Sequence, residues 1–345
     1  MNQRRADLVS LARKLVSIPS VTGDEGALGD FLAGALAAMG LDVREQAVDG
    51  RRRNILACGG PSPRVLLCTH QDTVPPLLPI AEDGDYLYGR GACDAKGIMA
   101  VMIRALAEMD PETRAACGLL FLVGEETDSA GAEAANRLDV RPDFIIVGEP
   151  TENKLGLGHK GFIVIRVLAR GRAAHSGYPH LGESAVLKLL DVLERLRKLD
   201  LGADRVMGPS TLNIGRLQGG VAANVVPDHA WAEISIRTTL PSGEVLDRLR
   251  GVAGRDAEVE ALTVSEPQRL HTVPGIETVV LSFGTDIPHL RVFGRPLLLG
   301  PGSILDAHTD RERISKAEME TALVLYQRLV KDLLRGPAAE GDLAR

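Results

Sequence analysis

The chain has 345 residues, of which 45% are hydrophobic, and its 40 basic and 46 acidic residues give a formal net charge of −6. This composition supports a sizeable core and excludes a disordered chain, and it offers no basic patch for nucleic acid or a membrane surface. We find no apolar run of the roughly 18–20 residues that a membrane span needs, and no apolar signal-peptide core. The four cysteines lack CxxC spacing, so we expect buried free thiols and a cytoplasmic enzyme.

The first half of the chain predicts helices alternating with short buried strands. Two helices fill the first forty residues, and the second ends at Gly40. Uniformly apolar runs follow at 65–68, 119–123 and 144–147, with a helix at 98–109 between the first two. Runs this short and this apolar are typical of strands buried on both faces. The pattern therefore predicts an α/β sheet covered by helices.

From about residue 161 the pattern changes to alternating strands. Strands are predicted at 162–169, 211–217 and 230–238, and helices around 186–193 and 242–252. This block predicts a small antiparallel sheet with helices on one face and polar side chains on the other. We therefore expect a discontinuous first domain of residues 1–160 and 270–345, and an inserted domain of residues 161–269. A last amphipathic helix is expected at 315–334.

Each of the three buried runs ends in residues that can bind a metal. His70 follows the first run, Glu125 and Glu126 follow the second, and Glu149 follows the third. Because ligands bind at the carboxyl ends of strands in an open α/β sheet, we expect these four side chains to meet in one crevice. Histidine with carboxylates suits zinc, and two zinc ions usually share a bridging carboxylate.

Asp94, Asp72 and the pair Glu125–Glu126 are expected to have different roles. Asp94 lies in a glycine-rich loop between the first two runs. Asp72 lies two residues after His70, on the same side of an extended backbone, where it could hydrogen-bond the ring and orient it. Glu125 and Glu126 cannot face a metal in the same way, so one is expected to be a ligand and the other a base.

The chain resembles the M20 metallopeptidase family, which includes acetylornithine deacetylase, succinyl-diaminopimelate desuccinylase, aminoacylases and carboxypeptidases of the glutamate type. The resemblance extends to about residue 335, and five motifs carry it: THQDTV at 69–74, GRGACDAKG at 89–97, GEE at 124–126, GEP at 148–150 and DAH at 306–308. It implies a zinc-peptidase-like catalytic domain with a mostly parallel central sheet covered by helices. It also implies an inserted α+β dimerisation or lid domain.

The resemblance implies two zinc ions, with cobalt or manganese as possible substitutes. His70 and Glu149 would bind one ion, and Glu126 and His308 the other. Asp94 would bridge them and would be followed by a cis peptide bond. Only the resemblance selects His308 among the histidines.

Catalytic and substrate-binding roles follow from the same resemblance. Glu125 would be the general base and Asp72 would orient the first histidine ligand. His175 would enter the active site of the partner subunit and stabilise the oxyanion, which implies a homodimer. The expected substrate-binding residues are Asn224, Arg237, Gly302 and Ser303, the last two around a substrate carboxylate. Arg237 could instead be paired with an acid on its own sheet.

We expect a two-zinc hydrolase that cleaves the amide bond of an N-acyl amino acid, as acetylornithine deacetylase does. Alternatives are desuccinylation of a diaminopimelate precursor, release of lysine or ornithine from a carrier protein, and dipeptidase or carboxypeptidase action. A one-metal aminopeptidase and an inactive amino-acid-binding relative are further alternatives. The presence of every ligand and of the base disfavours the inactive relative.

Overall fold

A computed structural model describes residues 3–336 of the chain. Residues 1–2 and 337–345 of the expected first domain lie outside the described residues. The chain divides into two compact units. Of the described residues, the first contains 3–156, Leu270–Val279 and 285–336, and the second contains Leu157–Arg269 and Val280–Gly284. Each unit has its own hydrophobic core.

The helices and strands of the described residues are numbered in chain order. The α-helices are α1 (Gln3–Val16), α2 (Gly26–Ala38), α3 (Lys96–Ala107), α4 (Pro111–Ala115), α5 (Ala130–Ala135), α6 (Ala185–Arg197), α7 (Ser242–Ala253) and α8 (Lys316–Leu334). The strands are β1 (Asp42–Asp49), β2 (Arg52–Cys58), β3 (Val65–His70), β4 (Ala81–Glu82), β5 (Tyr86–Tyr88), β6 (Cys117–Leu122), β7 (Phe144–Val147), β8 (Leu155–His159), β9 (Gly161–Arg170), β10 (Ala203–Asp204), β11 (Gly208–Pro209), β12 (Thr211–Gly219), β13 (His229–Thr238), β14 (Ala257–Ser265), β15 (Gln268–Arg269), β16 (Thr278–Leu281), β17 (Arg295–Leu298) and β18 (Arg313–Ser315).

The first unit is built on a six-stranded sheet in the order β1-β2-β6-β3-β7-β17. Strands β6, β3, β7 and β17 run parallel to one another, whereas β1 and β2 pair antiparallel at one edge. The expected mostly parallel sheet is therefore confirmed. The sequence analysis missed β1, which has no buried residue, β2, which begins with two arginines, and β17, a four-residue edge strand that contains a proline.

Burial explains why the three apolar runs could be predicted as strands. Every residue of β3 and β6 is buried, so both faces of the sheet are covered at its centre. Helix α3 is buried along most of its length and packs against α1 and α8. The four cysteines are free and buried, as expected. Within residues 3–336, no helix combines the length and the apolar character that crossing a membrane requires.

The second unit is an antiparallel sheet of four strands in the order β12-β13-β9-β14. Helices α6 and α7 pack on one face, where alternate residues of β9 and β13 are buried. The polar face carries the other residues of β13, including Arg237, as predicted. The fourth strand, β14, was not predicted; it is an edge strand with a largely exposed surface, so its hydrophobic signal is weak.

Candidate active site

The parallel strands of the first unit deliver the candidate ligands to one edge of the sheet. His70 is the last residue of β3, and Glu125 and Glu149 follow the ends of β6 and β7 by three and two residues. Gly124 allows the turn after β6, because its φ is +80° and an added Cβ would lie 2.6 Å from Asp128 Oδ1. Three neighbouring strand ends therefore present imidazole and carboxylate groups together.

Two groups of side chains are close enough to hold a metal ion each. The first contains His70, Asp94 and Glu149, and the second contains Asp94, Glu126 and His308; within each group the ligand atoms lie within 4.8 Å of one another. His70 Nε2 lies 2.9 Å from Asp94 Oδ1, and His308 Nε2 lies 2.9 Å from Glu126 Oε1. The structure thus brings together the five residues expected as ligands, with Asp94 common to both groups.

Asp94 is buried, and its peptide bond to Ala95 is cis, as the resemblance implied. Burial disfavours its charge, yet hydrogen bonds from His308 and His70 hold the pKa of its carboxyl far below the usual range. The same contacts with Asp94 and Glu126 raise the pKa of His308 to about 10. For His70 burial opposes the charge, but contacts with Asp72 and Asp94 raise its pKa well above 6.5.

Among the described residues, the basic partners of the site's carboxylates are histidines. Within residues 3–336, no lysine or arginine forms an ion pair with Asp94, Glu125, Glu126 or Glu149. Burial, reinforced by repulsion among these acids and opposed by His70, raises the pKa values of Glu125 and Glu149 well above 4.5. Several acids held together at a cost in repulsion fit a divalent cation, which would supply positive charge in place of the histidine protons.

Asp72 is fully buried and contacts both His70, which it was expected to orient, and the loop that carries Glu125 and Glu126. The nearest acceptor to His70 Nδ1 is the backbone oxygen of Asp72 at 3.0 Å, and the Asp72 carboxylate lies at 3.5 Å. That carboxylate accepts the backbone N–H groups of Glu125 and Glu126, both at 3.1 Å, and the hydroxyl of Thr22 at 2.8 Å. One side chain therefore fixes the loop that carries both glutamates.

Gly302 and Ser303, expected around a substrate carboxylate, already have carboxylate partners. Gly302 N–H donates to Glu318 Oε2 at 2.8 Å, and Ser303 Oγ donates to Glu152 Oε1 at 2.9 Å. Gly302 has a φ of +87°, and an added Cβ would lie 2.6 Å from Cys93 Sγ. A substrate carboxylate would have to displace these glutamates, so the substrate role of both residues stays a prediction.

The other expected substrate and catalytic residues belong to the second unit. His175 is exposed and pairs with Val225 in an antiparallel bridge, and Ser176 N–H donates to Asn224 O at 3.0 Å. His175 and Asn224 thus lie on neighbouring segments. Arg237 lies on β13, where its guanidinium stacks 4.1 Å from the centroid of the Phe162 ring.

Sequence reasoning missed several buried charged residues of the first unit, among them Arg90, Asp286 and Glu312. Glu312 binds the loop that carries Asp94 and forms an ion pair with Arg90. Burial raises the pKa of Asp286 to about 6, and its charge acts on Glu125. Their separation in sequence from the residues they contact left no pattern that could reveal them.

The chain is similar to known proteins along almost its whole length. The family model for the peptidase dimerisation domain matches residues 157–254. A peptidase M20 domain-containing protein of Schizosaccharomyces pombe is 41% identical, over 95% of this chain and 85% of its own. A probable carboxypeptidase of Aspergillus fumigatus is 39% identical, over 95% of this chain and 87% of its own.

Solved structures share the fold. A tripeptidase from Staphylococcus aureus matches with a TM-score of 0.78 and 24% identity, over 96% of this chain and 99% of its own. A dinuclear metal-binding M20 peptidase from Bacillus subtilis matches with a TM-score of 0.71 and 15% identity, over 97% and 99%.

The chain belongs to the M20 peptidase family, a class of metal-dependent peptidases and amidohydrolases. The family resemblance and the expected fold class are confirmed. The acetylornithine deacetylase and desuccinylase branch is not, because the similar relatives are named as carboxypeptidases or as M20 peptidases.

Proposed function

We propose that the chain uses two divalent cations to hydrolyse a peptide bond at the carboxyl end of a short peptide. The observation that carries this proposal is the pair of ligand groups that share Asp94, with Glu125 beside them. In this arrangement His70 and Glu149 complete one group, and Glu126 and His308 complete the other. Imidazole and carboxylate donors suit Zn²⁺, with Co²⁺ or Mn²⁺ as substitutes.

When bound, such cations lower the pKa of water and polarise a carbonyl group. Glu125 is the general base in this proposal, because a carboxyl whose pKa lies well above 4.5 can take a proton from water and give it to the leaving amine. Asp72 serves this step by fixing the backbone of Glu125. Each proton that Glu125 takes is returned to the product, so the base is regenerated.

We assign His175 the role of oxyanion donor, acting from the partner subunit of a homodimer. Gly177 N–H donates to His175 Nδ1 at 3.1 Å, so the neutral ring carries its proton on Nε2. That N–H is then available to donate to an oxyanion. The match of residues 157–254 to a dimerisation domain supports the dimer.

The substrate assignment rests on recognition of a carboxylate. Within residues 3–336 Arg237 has no acidic partner, and burial lowers the pKa of its guanidinium. An unpaired, partly buried cation favours an anionic ligand, and the carboxyl end of a peptide supplies one. Relatives named as probable carboxypeptidases, 37–39% identical, support the same choice. Asn224 would add a polar contact to the same substrate.

Deacylation of an N-acyl amino acid is the alternative, since its carboxylate would meet the same arginine. The GEPT segment at 148–151 and the GPGS segment at 300–303 favour it, because both resemble the acetylornithine deacetylase branch. We also propose a cytoplasmic location, which the four buried free cysteines support.

The test is amine release by the Zn²⁺-loaded protein from a panel of di- and tripeptides, N-acetylornithine and N-succinyl-diaminopimelate. Glu125→Gln serves as the blank and should retain its metal while losing activity by about 10²–10⁴-fold. Glu320→Gln, at a partly exposed acid on α8, should behave as the wild type. Release of the carboxyl-terminal amino acid from the tripeptides identifies a carboxypeptidase, and turnover of N-acetylornithine alone supports the alternative. A metal-loaded protein that cleaves none of these amides would contradict the proposal.

A further inference from the structure

Glu312 contacts the loop of the shared carboxylate with both of its oxygens. Oε1 accepts the backbone N–H groups of Cys93 and Asp94, both at 3.1 Å. Oε2 accepts from the Arg90 guanidinium at 2.7 Å. Glu312 is 1% exposed and Arg90 is 4% exposed, so water does not replace these hydrogen bonds.

The arrangement repeats the one around Asp72. There, too, one buried carboxylate accepts two consecutive backbone N–H groups, those of Glu125 and Glu126. In both cases a carboxylate from a distant part of the chain holds the backbone of a loop that presents an acidic side chain. Two loops of the candidate site are therefore held in the same way.

Glu312 also links the two segments that carry Asp94 and His308. It lies four residues after His308 and immediately before β18, which pairs with β5 at the start of the Asp94 loop. Its backbone oxygen accepts the N–H of Gly89 at 3.0 Å. Loss of the Glu312 side chain would thus affect both segments of the second ligand group.

The charge of Glu312 is paired with that of Arg90, which indicates that Glu312 acts by holding the backbone of the Asp94 loop. Arg90 neutralises it at 2.7 Å, and Arg90 Nε is itself fixed by Pro76 O at 3.1 Å. The two backbone hydrogen bonds therefore distinguish Glu312 from a buried ion pair that serves stability alone.

We propose that Glu312 is a positioning residue that holds the Asp94 backbone so that its carboxylate can serve both ligand groups. This inference rests on the proposed function, because it takes the two groups as cation sites. Residues behind metal ligands typically change metal affinity about 10–100-fold when removed. We expect the effect to be largest for the group of Asp94, Glu126 and His308.

Two double variants separate positioning from stability. Arg90→Met/Glu312→Gln removes both charges but retains an amide oxygen that can accept the N–H groups of Cys93 and Asp94. Arg90→Met/Glu312→Met removes the charges and the acceptor together. Glutamine and methionine are similar in size, so the acceptor is the principal difference between the variants. Full-length proteins are titrated with Zn²⁺ against a chromophoric chelator, the visible absorption of the Co²⁺ forms is recorded, and the melting of the metal-free proteins is measured.

We expect the glutamine variant to bind two Zn²⁺ within about threefold of the wild-type affinities. The methionine variant should bind one ion and lose about 10–100-fold in affinity for the second, with an altered Co²⁺ spectrum. Equal affinities and equal Co²⁺ spectra in the two variants would overturn the proposal, whatever their melting temperatures.

Glu312→Asp replaces the methionine variant if that one does not fold. Its shorter side chain retains the charge beside Arg90 but withdraws the oxygen from the two N–H groups, so the same loss of affinity is expected. Unchanged affinity in Glu312→Asp would overturn the proposal. Failure of the proposed function is distinguishable, because the wild-type protein itself would then bind fewer than two ions or, with two ions bound, would cleave none of the amides.

Discussion

The two ligand groups share Asp94 and the same chemistry, but they differ in burial and in how the fold supports them. His70, Asp94 and Glu149 are 1%, 5% and 4% exposed, whereas the His308 side chain is 47% exposed. The first histidine ends a central strand, and the second lies in a loop with a φ of +60°. One group is part of the core, and the other opens to solvent.

This difference suggests a division of labour. Ligands fixed by strand ends are already in place, and removal from water strengthens their attraction for a cation. We therefore expect the buried group to bind its cation more tightly. If both groups hold cations as proposed, the open group is the one that can exchange water and admit a substrate, and its cation should be the first to leave on treatment with a chelator.

The largest expected effect comes from Asp94→Asn, which removes the element common to both groups. The amide carries no charge and leaves His70 and His308 without their shared anionic partner. We expect the metal content to fall below one ion per chain and the activity to fall by about 10³-fold or more. Elemental analysis with an amine-release assay measures both. Two retained ions would show that the groups do not depend on Asp94.

A comparison of His308→Ala with His70→Ala sharpens the contrast between the groups. His308→Ala should retain the buried ion, fold normally because the side chain is half exposed, and lose about 10²-fold or more in activity. His70→Ala should lose the tighter ion and should also melt at a lower temperature, because it leaves a cavity beside buried acids. Metal content and calorimetry distinguish the variants. Equal metal losses and equal melting temperatures would contradict the contrast.

The buried group was largely predictable from the sequence, because its parts follow buried strands. The apolar runs before His70, Glu125 and Glu149 mark β3, β6 and β7, and the carboxyl ends of neighbouring parallel strands meet at one edge. The strand order, the antiparallel β1 and β2 and the edge strand β17 depend on long-range pairing, which no local pattern encodes.

The open group was less predictable. His308 follows no strand, and only the family resemblance selected it from the eight histidines. Glu312 contacts Asp94 across more than two hundred residues of sequence, and such a contact has no local signal. Glu318 and Glu152, which occupy the donors of Gly302 and Ser303, were missed for the same reason.

The stability of the first unit also depends on pH through Glu25, which is 1% exposed. Burial, with repulsion from Asp72, raises its pKa from 4.5 to about 7. Between these two pKa values the folded state therefore keeps a proton that the unfolded state releases. The contribution of this proton to the free energy of unfolding is fully present below pH 4.5 and is lost as the pH rises through 7.

Glu25→Gln is neutral at every pH and should not show this loss. Between pH 5 and pH 8 the free energy of unfolding of the metal-free wild type should therefore fall by about 2–3 kcal/mol more than that of Glu25→Gln. Calorimetry of both proteins over this range measures the difference. Glu320→Gln, at a partly exposed acid, is the control and should show the same pH dependence as the wild type. A parallel pH dependence in wild type and Glu25→Gln would contradict the assignment.

The second unit offers a smaller version of the same contrast, between an unpaired, partly buried cation and a paired, exposed one. Arg237 stacks on Phe162 without an acidic partner among the described residues, whereas Arg216 is exposed and binds Glu233 at 3.0 Å. If Arg237 recognises a substrate carboxylate, Arg237→Met should raise KM about tenfold, because a charge-assisted hydrogen bond is worth roughly 1.5–3 kcal/mol. Arg216→Met should leave KM nearly unchanged, because a surface ion pair contributes little.

Steady-state kinetics on a substrate and on its carboxyl-terminal amide test whether Arg237 binds the substrate carboxylate. The amide should be a poor substrate for the wild type, and the wild type and Arg237→Met should cleave it equally well. If Arg237→Met affected acid and amide to the same extent, the arginine would support the sheet and not the substrate.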